Sequence, residues 1–374
     1  MTSKKHHRPD YFLAAVVFAL LTFGILVLAS VSAIFSQEKF GKTTYYLFHQ
    51  LTKGILPGAL LGFIVFKVKL SSFKKWAWFF ILVNLIFMAL VFVPGLGITS
   101  GGAARWLNFG FFTFQPSEFL KLTFIIYLST WLANRTQKSS LKAGKKKEKP
   151  TFLPFLVVIG IVTFFLIWQL DLSTLGIILV SALLIFFSAG TPIWQNTFIF
   201  LAGLSISYFL IRLFPYRLNR ILVWLNYIKD PMGIGYQLKQ AMIAVGSGGI
   251  FGLGLGMSSQ KWGFVPQTMS DSIFAIIAEE MGFIGSSLLV IAFLFFLWRG
   301  FRIFKKTSDK FSQLFALGIT SWICIQAFIN MGAMIGVVPL TGIPLPFISY
   351  GGSHIVTELI GIGLLLNISK SIKK

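Results

Sequence analysis

One stretch decides the fold and guides the search for a function: Trp262-Gly-Phe-Val-Pro-Gln-Thr-Met-Ser-Asp271-Ser-Ile-Phe-Ala-Ile-Ile-Ala-Glu279-Glu280-Met-Gly. It begins as a polar loop that contains proline and continues as an apolar segment typical of a membrane helix. Asp271 lies where the loop becomes helix, so Ser270 or Asp271 is expected to cap that helix. The helix dipole also favours an anion there. Asp271 is therefore either a plain N-cap or a functional carboxylate at the interface between membrane and water.

The composition is that of a polytopic membrane protein. Of the 374 residues, 56% are hydrophobic and 12% are charged, and the mean hydropathy is +0.80. A soluble protein of this size carries roughly a quarter charged residues. Apolar runs of about 18 or more residues recur along the whole chain, which is the length that a membrane helix needs. We therefore expect one all-α transmembrane domain over residues 1–374.

The net charge of +22 does not indicate nucleic-acid binding. The basic residues lie in short segments between apolar runs, as the positive-inside rule expects, and no folded basic domain is predicted. The single cysteine, Cys324, cannot form a disulfide framework within the chain. The four histidines lack the spacing of a zinc motif. Neither a nucleic-acid partner nor a cysteine or histidine metal site is therefore expected.

The hydropathy pattern predicts ten transmembrane helices with both termini in the cytoplasm. This topology puts 22 of the 33 Lys and Arg residues on the inside. The predicted spans are 11–34, 45–66, 76–94, 116–134, 151–169, 171–189, 194–214, 272–297, 311–337 and 353–369. Only Gln169–Asp171 separates the fifth span from the sixth, so a single bent element over 151–189 is the alternative there.

Three segments outside the spans have distinct characters. Residues 1–10 form a cytoplasmic tail, and 135–150 form a Lys-rich cytoplasmic loop that fixes orientation or contacts anionic lipid. Residues 215–270 form a large extracytoplasmic loop, long enough to indicate a function, with a helix-like piece around Gln237–Val245. Its glycine-rich run, Gly246–Gly256, lacks the spacing of phosphate-binding motifs, so close packing at a re-entrant bend is preferred.

Charged side chains near the predicted outer interface are candidates for substrate contact. Glu118 and Lys121 are three residues apart on one helix face, so they form a buried ion pair or face an anionic head group. Arg105 lies in a glycine-flanked outer loop and suits phosphate contact. A lone aspartate at the water boundary, Asp271, suits a general base that deprotonates an alcohol. Together these groups favour a lipid-linked substrate with an anionic head.

Further acidic side chains lie inside the predicted spans, where they are costly unless they have a partner or a function. Asp171 lies between two spans and either links helices through Gln169 and Ser173 or serves a site. The other acids of this kind are Glu279, Glu280 and Glu358. We treat all four as structural or auxiliary.

Four blocks of sequence carry a resemblance to a known family. They are Gly102-Ala-Ala-Arg-Trp with Gln115-Pro-Ser-Glu-Phe-Leu-Lys; Asp230-Pro-Met-Gly-Ile-Gly-Tyr-Gln-Leu; Ser270-Asp-Ser-Ile-Phe-Ala-Ile-Ile-Ala-Glu-Glu-Met-Gly-Phe-Ile-Gly; and Pro344-Leu-Pro-Phe-Ile-Ser-Tyr-Gly-Gly-Ser. Together they resemble the SEDS proteins (shape, elongation, division and sporulation), whose members include FtsW and RodA. The resemblance covers the chain from about Asp10 to its end. The pattern suits both the division and the elongation branch, and we favour the FtsW branch.

The resemblance implies a ten-helix peptidoglycan glycosyltransferase of the bacterial cytoplasmic membrane. Such a protein polymerises lipid II on the outer side with a class B penicillin-binding protein, among divisome or elongasome proteins and membrane lipids. Asp271 matches the family's essential aspartate. The residues expected to contact substrate are Arg105, Glu118, Lys121, Ser349 and Gly351. No cofactor is required by the pattern, although a divalent cation, Mg²⁺ or Mn²⁺, is compatible with it.

The sequence departs from the family's usual pattern in three places. Gln267 stands where an acid is usual, Ser272 where an aromatic residue is usual, and Asp171 lacks the preceding proline of its block. Two alternatives to polymerisation therefore stay open. In the first alternative, the chain is a lipid II flippase whose path is lined by its buried acidic side chains. In the second, it is a non-catalytic scaffold for a class B penicillin-binding protein.

Overall fold

The chain forms a bundle of long helices in which the C-terminal helices are the most buried. The computed structural model describes residues 8–100, 102–110, 112–140, 152–213, 215–225, 233 and 235–372. The helices are α1 (Tyr11–Phe40), α2 (Tyr45–Gln50), α3 (Leu56–Lys67), α4 (Leu70–Leu90), α5 (Pro116–Ser140), α6 (Phe152–Trp168), α7 (Leu172–Ser188), α8 (Ile193–Leu213), α9 (Pro215–Trp224), α10 (Tyr236–Ser247), α11 (Ile273–Lys306), α12 (Lys310–Met334) and α13 (Gly352–Ser369). A π-helical turn, Leu51–Ile55, joins α2 to α3, and a short 3₁₀ turn, Gln260–Trp262, precedes α11.

Seven helical segments of the described residues are long and apolar enough to cross a membrane. They are Tyr11–Phe40, Tyr45–Lys67, Leu70–Leu90, Ile193–Leu213, Ile273–Lys306, Lys310–Met334 and Gly352–Ser369. Helices α6 and α7 are apolar too, but each has 17 residues. Helix α5 carries the charged pair Glu118 and Lys121 in its first two turns. The protein is thus a polytopic helical membrane protein, and the count of ten spans stays a prediction.

Three predicted boundaries are wrong on the basic side of the bundle. The eighth span, predicted over 272–297, ends too early, because α11 continues to Lys306. The loop predicted over 135–150 begins too early, because α5 continues to Ser140; residues 141–150 lie outside the described part. The third span, predicted over 76–94, begins too late, because α4 starts at Leu70 and includes two lysines. Lysine side chains can extend away from an apolar helix toward water, so they need not end the helix.

A small antiparallel sheet lies between α4 and α5, so the all-α prediction is wrong for this loop. The strands are β1 (Gly97–Ser100), β2 (Ala103–Asn108) and β3 (Thr113–Phe114), paired in the order β1-β2-β3. Gly102 and Gly110, with φ of 76° and 81°, lie between the strands. Glycine adopts this left-handed conformation without steric cost, so it allows the chain to reverse. The central strand β2 carries Arg105 beside the start of α5.

Helices α6 and α7 are two elements, as the pair of predicted spans requires, and not a single bent one. Leu170 has a φ of 55°, outside the helical range, so the chain changes direction between them. Asp171 then caps α7 by accepting a 3.2 Å hydrogen bond from the main-chain N–H of Thr174. The two helices pack against each other.

Helix α11 is interrupted at Gly282, the last residue of the stretch quoted above. Gly282 has φ 64° and ψ −161°, which no helix contains. The two main-chain N–H groups after the break donate to the glycine-rich segment Gly246–Gly256 at 2.9 and 3.1 Å. That segment donates in return to the carbonyls of Glu279 and Glu280 at 3.0 Å each. The predicted close packing of the segment is confirmed, and it satisfies main-chain groups that lipid could not satisfy.

Helix α12 lies at the centre of the bundle and contacts α5, α7, α11 and α13. Most of its residues are buried, whereas α8 is largely exposed, as expected of a helix that faces lipid. Three polar side chains of α12 are spaced by four residues and therefore share one face. They are Trp322, Gln326 and Asn330, which we call the polar ladder. Helix α10 packs on α11 and confirms the helix-like piece predicted around Gln237–Val245.

Candidate functional site

Asp271 lies in the turn before α11, which begins at Ile273. The predicted cap is wrong, because Ser272 occupies the N-cap position and no side chain caps the helix. The turn is instead closed by the carbonyl of Gln267, which accepts from the N–H groups of Ser270 and Ser272 at 3.1 and 3.2 Å. The carboxyl group of Asp271 therefore does not cap the N-terminus of α11.

Three hydrogen bonds to main-chain atoms hold the Asp271 turn. The side-chain amide of Asn330 donates to the carbonyl of Asp271 at 2.7 Å. The hydroxyl of Ser349 donates to the carbonyl of Ser270 at 2.5 Å. The N–H of Tyr350 donates to the carbonyl two residues before Asp271 at 2.8 Å. Because all three bonds use the main chain, they fix the turn without engaging the carboxyl group.

The Asp271 carboxyl is partly buried beside the loop that joins α12 to α13. A Cβ placed on Gly342 of that loop would be 3.4 Å from Asp271 Oδ2, so glycine permits this close approach. Burial raises the pKa of Asp271 above its ordinary value, and this effect exceeds the opposing effects of a Ser270 hydrogen bond, a main-chain hydrogen bond and the charge of Arg220. A carboxylate with a raised pKa is a stronger base, which general-base catalysis near neutral pH requires.

Arg220 reaches the same loop from α9, and sequence reasoning missed it. Its Nη1 donates to the carbonyl of Leu340 at 3.0 Å, two residues before Gly342. Trp224, one turn further along α9, donates from Nε1 to the carbonyl of Gly336 at 2.7 Å. The only signal in the sequence was an arginine in the outer loop, and its hydrogen-bond partner Leu340 lies 120 positions away.

The predicted pair of Glu118 and Lys121 is confirmed and buried, with 2.8 Å between Oε2 and Nζ. Lys121 also donates to Gln326 Oε1 at 2.8 Å and lies 5.2 Å from the centre of the Trp322 ring. Its side chain is fully engaged by protein groups, with the residue 1% exposed. Contact of Lys121 or Glu118 with a head group stays a prediction.

The polar ladder joins this ion pair to the Asp271 turn. Gln326 donates to Glu358 Oε1 at 3.4 Å, and Glu358 also accepts from the N–H of Phe347 at 2.9 Å. Two turns of α12 thus separate the indole of Trp322 from the amide of Asn330, which holds Asp271. The buried acid Glu358 therefore has the partners that the sequence required, and it stabilises the last loop.

Arg105 lies at the junction of α6 and α7. Its Nε and Nη2 donate to the carbonyls of Gln169 and Leu170 at 3.3 and 2.6 Å. Ser173, in the first turn of α7, donates to the carbonyl of Thr341 at 2.5 Å. The junction is therefore adjacent to the loop that faces Asp271, and phosphate contact by Arg105 stays a prediction.

Asp171 links helices, but the predicted partners are wrong. It accepts from the hydroxyls of Ser117 and Thr174 at 2.9 Å each, rather than from Gln169 and Ser173. Ser117 lies in the first turn of α5, so the bond ties α5 to α7. This partner was not readable from local sequence because it is 54 positions away.

Glu279 and Glu280 are both buried and both have partners from the chain before α11. Glu280 pairs with Lys261 at 3.1 Å. Glu279 accepts from the hydroxyl of Ser258 and from the N–H and hydroxyl of Ser259, the latter two at 3.2 and 3.1 Å. These contacts hold residues 258–261, which follow the glycine-rich segment, against α11, which is a structural role.

Ser349 and Gly351 lie in the last loop, and each contacts another part of the chain. Ser349 holds the Asp271 turn as described, and the N–H of Gly351 donates to Gln50 Oε1 at 3.0 Å. Tyr350, between them, shares a 2.8 Å hydrogen bond with His49 Nδ1. The loop thereby joins α2 to the Asp271 turn. Direct substrate contact by Ser349 or Gly351 stays a prediction.

Among the described residues there is no group of three or more His, Cys, Asp or Glu side chains that could hold a metal ion. Mg²⁺ is often held by one or two carboxylates together with substrate phosphates. Asp271 is the group that could share a cation with a phosphate in this way, so Mg²⁺ or Mn²⁺ stays a prediction and no chemical step below depends on it.

An open depression of about 300 Å³ lies at the start of α2, apart from the Asp271 turn. It is lined by Lys42, Thr44, Tyr45, Phe48, His49 and Thr52. His49 connects this depression to the last loop through its hydrogen bond with Tyr350. We therefore place the candidate site at Asp271, where the base, the loop of Gly342 and Arg220 meet.

The helices and the site define a class of protein. It is a polytopic α-helical membrane protein with a partly buried carboxyl group in the turn before a helix that is interrupted by a glycine. The chain belongs to the FtsW/RodA/SpoVE family of cell cycle proteins, whose family model matches residues 11–374. The resemblance noted in the sequence is thereby confirmed.

Named relatives cover nearly the whole chain. The stage V sporulation protein E of Bacillus subtilis is 37% identical over 372 residues, which is 99% of each chain. A probable peptidoglycan glycosyltransferase FtsW of Geobacter metallireducens is 35% identical over 99% of this chain and 97% of that one. A solved chain from a peptidoglycan synthase complex, described for its coordination of polymerization and crosslinking, is 25% identical with a TM-score of 0.76, covering 96% of this chain and 97% of that one.

Proposed function

We propose that this chain is a peptidoglycan glycosyltransferase that polymerises lipid II into β-1,4-linked glycan strands, with Asp271 as the general base. The observation that carries the proposal is the Asp271 carboxyl, fixed through its main chain and left with a raised pKa beside an arginine. The names of the full-length relatives support the same reaction class.

The proposed reaction is a displacement at a sugar carbon. Asp271 takes the proton of the acceptor's 4-hydroxyl while that oxygen forms a bond to the anomeric carbon of the donor. The bond from that carbon to the diphosphate oxygen breaks, and its electron pair leaves with the diphosphate. Attack from the face opposite the leaving group inverts the α-linkage of the donor to a β-linkage in the product. The diphosphate gains one negative charge, so cationic groups nearby lower the barrier.

The fold and the family support the setting that we propose for this reaction. The protein acts in the bacterial cytoplasmic membrane among membrane lipids, with the Asp271 turn on the outer side. Its partner is a class B penicillin-binding protein within the divisome or elongasome. The similarity to a chain of a peptidoglycan synthase complex supports a partner of this kind. The sequence similarity to FtsW and sporulation proteins favours a role in septum formation over sidewall growth.

The test is polymerisation of fluorescent lipid II by purified protein with its transpeptidase partner. We expect Asp271→Asn to lower the rate at least about 100-fold, the usual contribution of a general base. The matched control is Asp309→Asn at the other end of the bundle. Asp309 caps α12 through a 2.9 Å bond from the N–H of Ser312, and asparagine caps equally well. If Asp271→Asn polymerises as fast as the parent, Asp271 is not the base.

A second candidate function is translocation of lipid II, which is favoured by the acidic side chains buried within the helix bundle. Glu118, Asp171 and Glu358 lie within the bundle, but each is held by protein partners. A translocase would move fluorescent lipid II across proteoliposomes in the Asp271→Asn variant as well as in the parent. If the parent moves lipid II without polymerising it, the protein is a translocase. If it does neither yet still activates its partner, it is a scaffold.

A further inference from the structure

We propose that the depression at the start of α2 binds the phosphate head group of an anionic glycerophospholipid, and that this lipid sets the position of the Asp271 turn. The depression is separate from the place assigned to the sugar chemistry. Its effect on polymerisation rests on the proposed function, whereas its occupancy by a phospholipid does not. The charge, surroundings and size of the depression identify the occupant.

The depression is basic and lies where few basic residues are expected. Of the described residues that line it, Lys42 is a cation and none is acidic. Between Ser36 and Leu56 the chain has three lysines, Lys39, Lys42 and Lys53, and its one acidic residue there is Glu38. Lysine is concentrated on the inner side of membrane proteins, so a lysine cluster at the predicted outer end of α1 indicates an anionic partner.

Aromatic rings form the wall of the depression. Tyr45 and Phe48 line it. Phe40, the last residue of α1, stacks on Tyr45 with 3.7 Å between the ring centres. Lys39 Nζ lies 5.7 Å from the centre of the Phe40 ring, so a second ammonium group lies beside this stack of rings. Tyrosine is enriched at the membrane–water interface, which is the level of lipid head groups.

An exposed apolar helix face follows the depression along the chain. The helix that carries Thr52 of the wall continues through the π-helical turn into α3, where Leu56, Leu60 and Phe63 are exposed. These three residues are spaced by four and three positions, so they share one face. A basic depression at the end of an apolar face matches a lipid, because its phosphate is joined to acyl chains that need an apolar surface.

The size of the depression separates an ordinary phospholipid from the substrate. Its volume of about 300 Å³ is at the lower end of the range for small-ligand sites. A glycerophosphate group fits this volume, whereas the disaccharide and pentapeptide of lipid II exceed it. Asp271, which has to reach the sugar of lipid II, does not line the depression. The occupant is therefore an anionic phospholipid of the surrounding membrane.

Hydrogen bonds join the depression to the last loop. His49, which lines the depression, shares a 2.8 Å bond with the hydroxyl of Tyr350. Gln50, the next residue of α2, accepts from the N–H of Gly351 at 3.0 Å and donates to the carbonyl of Ser349 at 3.3 Å. Helix α2 thus holds three consecutive residues of the last loop.

The last loop transmits this contact to the Asp271 turn. The N–H of Tyr350 donates to the carbonyl of Met269 at 2.8 Å, and the hydroxyl of Ser349 donates to the carbonyl of Ser270 at 2.5 Å. Each link from the depression to the chain beside Asp271 is therefore a hydrogen bond or a single residue. The π-helical turn after α2 is a geometry frequent at functional sites. A lipid that orders α2 thereby orders the Asp271 turn.

The first test measures lipid binding at the depression. Thr43→Cys, an exposed position beside it, is combined with Cys324→Ala and labelled with an environment-sensitive dye. The labelled protein in non-ionic detergent is titrated with dihexanoyl-phosphatidylglycerol, dihexanoyl-phosphatidylcholine and glycerol phosphate. We expect the phosphatidylglycerol to bind most tightly, because it alone combines a net negative charge with acyl chains.

A matched pair of variants locates this binding. Lys42→Gln should weaken the binding of dihexanoyl-phosphatidylglycerol about fivefold, the contribution of one lysine near an anionic lipid surface. The control is Arg212→Gln, which removes another exposed cation. Arg212 lies on α8, 5.4 Å from the centre of the Tyr208 ring, so its replacement should leave the binding unchanged.

The second test measures lipid II polymerisation in phosphatidylcholine nanodiscs, with and without phosphatidylglycerol, in the presence of the transpeptidase partner. Phosphatidylglycerol should raise the rate of the parent at least about fivefold, the lower end of the usual coupling between two sites. Lys42→Gln should lose most of this rise, and Arg212→Gln should keep it. Tyr350→Phe removes the bond to His49 and keeps the main-chain bond to Met269. It should therefore bind the phosphatidylglycerol like the parent but lose the rise, and its binding curve also shows that it is folded.

Each outcome decides one part of the proposal. The lipid site is overturned if phosphatidylcholine or glycerol phosphate binds as tightly as phosphatidylglycerol, or if Lys42→Gln binds like the parent. The link to Asp271 is overturned if phosphatidylglycerol leaves the parent's rate unchanged, or if Tyr350→Phe keeps the full rise or loses the binding. A parent that binds the phosphatidylglycerol but never polymerises lipid II would contradict the proposed function and leave the lipid site in place.

Discussion

Asn330 donates its side-chain amide to two main-chain carbonyls at once, those of Asp271 and Ile343, each at 2.7 Å. One amide group therefore sets the distance between the turn that carries the proposed base and the loop that faces it. The loop residue Ile343 follows Gly342 directly, so any shift in this bond moves the loop that packs on the carboxyl group. The polar ladder of α12 thus ends at the candidate site.

We expect Asn330→Asp to lower the polymerisation rate about 100-fold, because an aspartate cannot donate to either carbonyl and a displacement of about 1 Å costs that much. The side chain keeps its size, so the loss reports hydrogen bonding rather than a cavity. Rates of lipid II polymerisation measure the effect.

The matched control for this prediction is Asn367→Asp on α13. Asn367 donates to the carbonyls of Val65 and Val68 at 2.9 and 2.7 Å. It therefore makes the same pair of side-chain to main-chain hydrogen bonds as Asn330, but far from Asp271. Both variants should lose thermal stability, but only Asn330→Asp should lose most of its activity. Equal losses of activity in the two variants would show that Asn330 has no special relation to the site.

The ion pair of Glu118 and Lys121 leads to a prediction about stability. Lys121→Met leaves a carboxylate buried among apolar helices without its cation, which costs about 3–5 kcal/mol. The double variant Glu118→Gln, Lys121→Met removes both charges and should recover much of that loss. Cys324 is the only cysteine and is buried, so its reaction with a thiol-specific dye during heating reports unfolding. A double variant that is no more stable than Lys121→Met would contradict this account.

Much of the fold was predictable because its cause is local. The apolar runs marked the helices, and the spacing of Glu118 and Lys121 placed two opposite charges on one face, where they do pair. The glycines of Gly246–Gly256 indicated close main-chain packing, which the break at Gly282 requires. Periodicity, spacing and residue size act over a few positions, so the sequence alone displays them.

The rest depends on contacts between distant parts of the chain. Strand β2 shows no strict alternation of buried and exposed residues, so the sheet left no clear pattern. Asp171 bonds to Ser117, and Arg220 to Leu340, over 54 and 120 positions. The absence of a helix cap at Asp271 also reflects tertiary bonds, since Asn330 and Ser349 hold the turn. No local rule could have selected these partners.

The break in α11 predicts opposite outcomes for two glycines. At Gly282 a Cβ would lie 2.3 Å from the main-chain nitrogen of Gly252, and its φ of 64° disfavours other residues. Gly282→Ala should therefore lower the free energy of unfolding by at least about 1–3 kcal/mol, the cost of a strained main chain, with the clash in addition. Gly246 lies in α10 with nothing within 4 Å of its Cβ position.

Gly246→Ala should accordingly be neutral or stabilising by up to about 1 kcal/mol, because alanine is the better helix former. Each variant adds one methyl group to the parent, at the break in α11 for Gly282 and within α10 for Gly246. The midpoint of thermal unfolding in detergent, followed through Cys324, separates them. If both variants unfold at the parent's temperature, the bonds across the break do not contribute to stability.

The raised pKa of Asp271 predicts how activity depends on pH. A general base must be ionised, so kcat/KM should fall as pH decreases through the pKa of Asp271. Because burial raises that pKa, the fall should be centred above about 3.9, the usual value for aspartate. The Ser270 hydrogen bond and the Arg220 charge both lower the pKa of Asp271. Ser270→Ala and Arg220→Gln should therefore each move the acid limb of the profile to higher pH, whereas the control Arg212→Gln should leave it in place. An acid limb at the usual aspartate value, or one that neither variant moves, would mean that another group titrates, because a base in this position has to respond to both neighbours.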